Sequence, residues 1–269
     1  MIGRVIVALD VGNTNINVGV VGGGDVASSR RAVTRPTATA DELEITIDEL
    51  LHLDGAALSS VDEIVLASVV PAVTATLITV AARHKIPLLV ADAMTVPIPV
   101  RIEKPAEAGA DRLVNAFAAL RLHGAPAIVV DFGTATNFDV VSADGAYIGG
   151  ALAPGLELGI EALASRTAKL PRVALVMPAR AIGRETVSAI QSGAVIGYIG
   201  LVGELVRAIT RELALDSPVA PKVILTGGLS AAGWASAIPG VDVIDPLLTL
   251  RGLALLHSEV RHAESVAQA

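Results

Sequence analysis

One unit of pattern occurs twice in this chain, and it constrains the architecture more tightly than any other feature. Val5 to Leu9 is an apolar run that ends in Asp10-Val11-Gly12-Asn13-Thr14 and continues into Ile16-Asn17-Val18-Gly19-Val20-Val21. Ala127 to Val130 is a second such run. It ends in Asp131-Phe132-Gly133-Thr134-Ala135-Thr136 and continues into Phe138-Asp139-Val140-Val141. Each piece reads as a strand, an Asp-x-Gly turn and a returning strand, and Asp131 lies 121 residues after Asp10. One recurrence at that spacing in a chain of 269 residues means two similar halves rather than a solenoid.

The rest of each half follows suit. Glu63 to Pro71 and Lys222 to Gly228 are apolar strands that open into small-residue turns. Helical spacing runs from Asp41 to Leu53, with apolar positions 43, 47, 50 and 51 and with Thr39 or Asp41 able to cap the start. Ala110 to His123 carries Leu113, Phe117 and Leu120 on one face and is stopped by Gly124 and Pro126. Ser188 to Leu213 reads as a long helical region with Gly193, Gly197, Gly200 and Gly203 where another helix or domain packs closely. Gly22-Gly23-Gly24 reads as a turn. Two α/β domains facing a cleft are expected, with the boundary near 110–125, here set as 1–115 and 116–269.

Composition narrows the function. Hydrophobic residues make up 52% and aromatics 2%, so the core must be built from Val, Ile, Leu and Ala, as in buried parallel strands. A net charge of −7 without a basic cluster, and few aromatics for base stacking, argue against nucleic acid as a partner. The absence of cysteine excludes a disulfide scaffold, a thiolate metal site and a cysteine nucleophile, and fits a cytoplasmic setting. The run from Val5 to Leu9 is too short for a signal segment, and no uninterrupted apolar stretch approaches membrane-span length, so no membrane role is expected. The five histidines (His52, His84, His123, His257 and His262) show no ligand spacing and read as surface or incidental residues.

An Asp-x-Gly turn suits phosphate chemistry. A glycine lets the backbone approach phosphate, neighbouring Asn and Thr side chains add donors, and the Asp can hold a hard cation. Ordinary hairpins use Asp and Gly as turn formers too. Two such turns in matching contexts, with Thr226-Gly227-Gly228 after a strand, point to nucleotide binding. Neither the G-x-x-x-x-G-K-S/T phosphate loop nor a G-x-G-x-x-G dinucleotide fingerprint is present.

The string Gly109-Ala110-Asp111-Arg112, set between the two turns, resembles type III pantothenate kinase. Further matches are Ser68-Val69-Val70-Pro71, Gly149-Gly150-Ala151-Leu152-Ala153-Pro154-Gly155, Thr167-Ala168-Lys169-Leu170-Pro171, Gly183-Arg184-Glu185-Thr186, Gln191-Ser192-Gly193 and Leu248-Thr249-Leu250-Arg251-Gly252-Leu253. The resemblance implies an α/β fold of two actin-like (ribonuclease H-like, ASKHA-type) domains with mixed sheets. It implies transfer of the ATP γ-phosphate to pantothenate, the first step of coenzyme A synthesis, by a homodimer. In that reading Asp10, Val11, Gly12, Asn13, Thr14, Asn15, Ile16 and Asn17 wrap the ATP phosphates and Thr134 adds a contact. Asp111 is the general base, and Gly109, Ala110, Asp111 and Arg112 line the pantothenate site with Thr186 of the neighbouring subunit. Asp131 holds a monovalent cation (K+ or NH4+), and Asp10 is a candidate ligand for the Mg2+ that accompanies ATP. Two positions depart from the expected pattern. Ile102 stands where a Tyr often precedes the Gly-Ala-Asp-Arg string, and Asn137 stands where a second Thr is common. With all three acids present, a kinase is expected, a different small-molecule kinase or a non-catalytic ligand-binding homologue being the rival readings.

Overall fold

The computed structural model describes residues 4–267; Met1 to Gly3, which precede the first apolar run, lie outside the described residues. The chain forms two compact units. One takes the chain up to Ala118 and again from Leu247, and the other is Ala119–Pro246.

The first unit holds strands β1 (Ile6–Val11), β2 (Asn15–Gly22) and β3 (Asp25–Val33), helix α1 (Ala40–His52), β4 (Glu63–Ser68), α2 (Pro71–His84), β5 (Leu88–Val90) and the start of α3 (Ala110–His123). Its sheet runs β3-β2-β1-β4-β5, antiparallel on the β3 side of β1 and parallel on the other. The second unit holds β6 (Ala127–Phe132), β7 (Ala135–Val141), β8 (Tyr147–Pro154), α4 (Leu156–Ser165), α5 (Thr186–Gln191), α6 (Gly197–Leu213), β9 (Lys222–Gly227) and β10 (Val243–Ile244). Written the same way round, its sheet is β8-β7-β6-β9-β10 with the same pairing senses. The repeat in the sequence is therefore a repeat of topology.

Local chemistry explains the elements. Thr39 caps α1: its Oγ1 accepts the Glu42 N–H at 3.3 Å, and the Glu42 carboxylate accepts the Thr39 N–H at 2.8 Å. Leu43, Ile47 and Leu51, one turn apart, bury that helix against β1 and β2 residues Leu9, Val11, Ile16 and Val18. The predicted α3 has the expected bounds, and Gly124 follows it with φ +84. The long helical region begins at Thr186, two residues earlier than its spacing predicts. Its α5 and α6 segments join through a π-helical turn at Ser192–Ile196.

Three expectations change. The segment from Leu247, assigned by sequence to the second half, forms α7 (Leu248–Ala267), which packs on β1, β3 and β4 of the first sheet. A Cβ on Gly19 of β2 would lie 3.2 Å from Leu250 of that helix. His257, read as incidental, is largely buried, and its Nε2 lies 3.0 Å from Glu63 Oε2 at the start of β4; Arg261 pairs with the same carboxylate. A buried acid is tolerable only with such partners. The third change concerns length. Thr186–Leu213 is, among the described residues, one helix long and apolar enough to cross a membrane by length and composition, and 28% of its most apolar window is buried within the chain.

A close helix crossing sets a test. A Cβ at Gly252 of α7 would fall 2.6 Å from Val114 Cγ1 and 2.8 Å from the Val114 carbonyl oxygen of α3. Backbone cannot step aside as a side-chain tip can, so Gly252→Ala should cost about 1–3 kcal/mol. Urea unfolding should show a lower midpoint with an unchanged slope; a midpoint equal to wild type would mean that the two helices separate freely.

Candidate active site

The first turn, Gly12–Asn15, closes by the Gly12 N–H donating to Asn15 O at 2.9 Å. Thr34, buried just after β3, holds it from behind: its N–H donates to Thr14 O at 2.8 Å and its hydroxyl to Gly12 O at 2.7 Å. Asn13 and Thr14 stay exposed. At the base of the turn Asp10 and Asn17 are cross-strand partners, and the Asn17 amide donates to Asp10 Oδ2 at 2.9 Å.

The Gly109–Arg112 string joins this turn through the segment after β4. The Val69 N–H donates to Val11 O at 3.0 Å, and the Val69 side chain lies beside Gly109. Asp111 sits in the first turn of α3, half-buried, with Oδ1 accepting the Arg112 N–H at 2.8 Å. Gly109 makes that pose possible, because a Cβ there would stand 2.5 Å from Asp111 Oδ1. Burial pushes the Asp111 carboxyl above its ordinary value, opposed by the Arg112 N–H and the Arg112 charge. A carboxylate in this place is ionisable yet unusually basic, which suits a proton acceptor. Ile102 is half-buried in the irregular stretch before α3.

The second turn, Gly133–Ala135, is one residue shorter, and the Gly133 N–H donates to Ala135 O at 3.0 Å. The exposed Thr134 is held through its carbonyl by the Gly155 N–H at 3.0 Å. Asp131 has Asn137 opposite it on β7 and Thr226 opposite it on β9, so the three side chains share one face. Asn137 thus occupies the register position that Asn17 holds beside Asp10. Asn137 Oδ1 and Thr226 Oγ1 are both buried without a hydrogen-bond partner. Gly227, with φ +83, leaves room for the carboxylate: a Cβ there would lie 2.3 Å from Asp131 Oδ1. One carboxylate flanked by two orphaned neutral oxygens is a donor set that fits a hard cation of low charge. No group of three or more His, Cys, Asp or Glu among the described residues could hold a metal, so a divalent ion at Asp10 would take its other ligands from water or substrate oxygens.

The predicted residues therefore assemble within each unit. Asp10–Asn17 and Gly109–Arg112 belong to the first, Asp131 and Thr134 to the second. Thr186 stands apart and exposed at the start of α5, where Gly183 packs so closely that a Cβ would lie 2.3 Å from the Ala189 nitrogen. Thr34, Asn137 and Thr226 were not among the site residues that the sequence singled out. Thr34 carries no local signal, whereas the Thr226-Gly227-Gly228 string pointed to nucleotide binding without giving the Thr226 side chain a part.

Comparison with known proteins finds relatives along most of the chain. A family model described as "Type III pantothenate kinase" matches residues 6–208. A protein of that name from Thermomicrobium roseum is 45% identical over 92% of this chain and 95% of its own length. Another from Moorella thermoacetica is 42% identical over 94% and 98%. Among solved structures, the activator of the 2-hydroxyisocaproyl-CoA dehydratase from Clostridium difficile superposes with a TM-score of 0.52 at 10% identity, covering 99% of this chain and 98% of its own. That likeness concerns the two-domain α/β fold alone.

The raised Asp111 gives a stability test. Between the ordinary carboxylate pKa and the raised folded value, the folded chain holds a proton that the unfolded chain has released. Stability therefore falls as pH rises through that window. Asp111→Asn removes the titration. Its melting temperature should match wild type below the ordinary carboxylate range and exceed it at neutral pH; a lower value at neutral pH would mean that the Arg112 contacts outweigh desolvation.

Proposed function

The chain belongs to the type III pantothenate kinase family, and from that membership we infer that it transfers the γ-phosphate of ATP to pantothenate. The products are ADP and 4'-phosphopantothenate, the first intermediate on the way to coenzyme A. The observation that carries the assignment of roles is Asp111, a carboxylate made more basic by burial at the head of α3.

A primary alcohol is a weak nucleophile at neutral pH. Asp111 takes its proton as the hydroxyl oxygen attacks the γ-phosphorus and the bond to the leaving ADP oxygen breaks. The Arg112 guanidinium offers a fork suited to the pantothenate carboxylate, and Gly109 and Ala110 complete the wall. The turn from Asp10 to Asn17 and the Thr134 hydroxyl contact the ATP phosphates. Asp10 is the residue to hold Mg2+, and Asp131, with Asn137 and Thr226 beside it, is the residue to hold K+ or NH4+. When bound, these cations neutralise charge on the phosphates.

Thr186 is exposed at the head of a helical region whose Val187, Ile196 and Leu201 also face outward, which supports a contact with a neighbouring copy. A homodimer through that helix covers its apolar face and lends Thr186 to the partner's pantothenate. A cytoplasmic setting fits a chain without cysteine.

ADP release measured with and without pantothenate, in potassium and in sodium buffer, tests the reaction. Turnover should require pantothenate and be faster in potassium. A folded enzyme that releases no ADP with pantothenate in either salt would refute the assignment. Asp111→Asn should lower kcat by about 10²–10⁴-fold while ATP still binds; turnover near the wild-type value would remove Asp111 from the role of base.

A further inference from the structure

Aromatic residues are scarce here: three Phe, two Tyr and one Trp. Three of the six meet at one point behind the second turn. Phe132, the middle residue of Asp131-Phe132-Gly133, lies 5.7 Å from the Tyr198 ring and 6.1 Å from the Trp234 ring. Tyr198 and Trp234 meet edge to face at 5.8 Å. The rings alone would be accounted for as core. The tyrosine hydroxyl would not, since phenylalanine fills the same space without a polar atom to satisfy.

That hydroxyl lies among the contacts around Thr134. The Gly155 N–H donates to Thr134 O at 3.0 Å, and the backbone of the next residue, Leu156, lies close enough to the Tyr198 hydroxyl to favour its ionised form. The same hydroxyl is hydrogen-bonded to Thr136 Oγ1, at the far side of the turn. Thr136 is fully buried and Tyr198 nearly so, so water cannot replace either partner. Gly155 admits no slack, because a Cβ there would lie 2.3 Å from Thr134 O and 2.5 Å from Gly133 O. The strand that leaves the turn is thus tied to one oxygen on α6, beside the α4 head that holds the Thr134 carbonyl. Burial raises the Tyr198 pKa, so the hydroxyl keeps its proton at neutral pH and remains a donor.

We propose that Tyr198 is a positioning residue for phosphoryl transfer: by bonding Thr136 beside the Gly155–Thr134 contact it holds Thr134 in the pose that meets the ATP phosphates. The inference rests on the reading of Thr134 as a phosphate contact. Holding the turn before ATP arrives removes an ordering cost from binding. Tyr198 touches no substrate and acts through the turn.

Tyr198→Phe keeps the ring and removes the bond. It should raise the KM for ATP about three- to ten-fold, the size of one net hydrogen bond. The KM for pantothenate and kcat at saturating ATP should stay near wild type. Thr136→Val breaks the same bond from the turn side and should give the same split. The double variant should be no worse than either single one. Trp234, the sole tryptophan, reports directly: its emission should change saturably with MgATP, and the midpoint should move upward in both variants. An unchanged KM for ATP in both variants, or equal rises for ATP and pantothenate, would overturn the proposal and leave the phosphate reading intact, provided Thr134→Ala raises the KM for ATP. If Thr134→Ala leaves it unchanged, both fall.

Discussion

In a strand buried on both faces an unpartnered charged side chain is costly except where the strand emerges from its layers. β1 and β6 are such strands, apolar and buried until Asp10 and Asp131. The desolvation cost of a carboxylate inside the sheet confines the acids to the strand ends, and the turns that follow inherit their position. Each acid is flanked on both sides by paired strands, so the register chooses its neighbours: Asn17 and Ala67 for Asp10, Asn137 and Thr226 for Asp131. The difference between alanine and threonine at one matched position separates the two turns chemically. The second has an extra buried oxygen without a partner, and it is the one assigned to a monovalent cation.

Asp111 is governed by another balance. The head of a helix offers N–H groups and a favourable dipole to a carboxylate, yet burial works against the charge and prevails. A surface acid in the same first turn would be a helix-stabilising residue and a poor base. Tucked against Gly109 and close to the Val69 wall, it gains basicity at the expense of stability. The Val69 N–H bonded to Val11 O ties that wall to the first turn, so the residues read as base and as phosphate turn are joined through one segment of their unit.

Much of this was legible in the sequence. The doubled Asp-x-Gly unit gave two domains, because a strand–turn–strand is a local pattern and its repetition is visible by inspection. The Thr39 cap and the Gly124 stop of α3 were legible for the same reason: capping and chain reversal are decided within a few residues. Helix α7 was not placed correctly, since its apolar spacing marks a helix but not the sheet it joins. His257 looked incidental until Glu63, 194 residues away in the chain, was found beside it. Asn137 read as a departure from a pattern; register shows it standing to Asp131 as Asn17 stands to Asp10.

The sequence by itself determined the family, the two-fold repeat, the acids proposed for the chemistry and most element boundaries, because each is written in adjacent residues or in their order. Only the tertiary structure decided which oxygens surround Asp131, why Gly109, Gly155 and Gly227 must lack side chains, and how one tyrosine on α6 is tied to the strand leaving a turn more than sixty residues earlier. These depend on close approach between segments distant in the chain. Close packing turns distances of a few ångströms into requirements that no local pattern encodes.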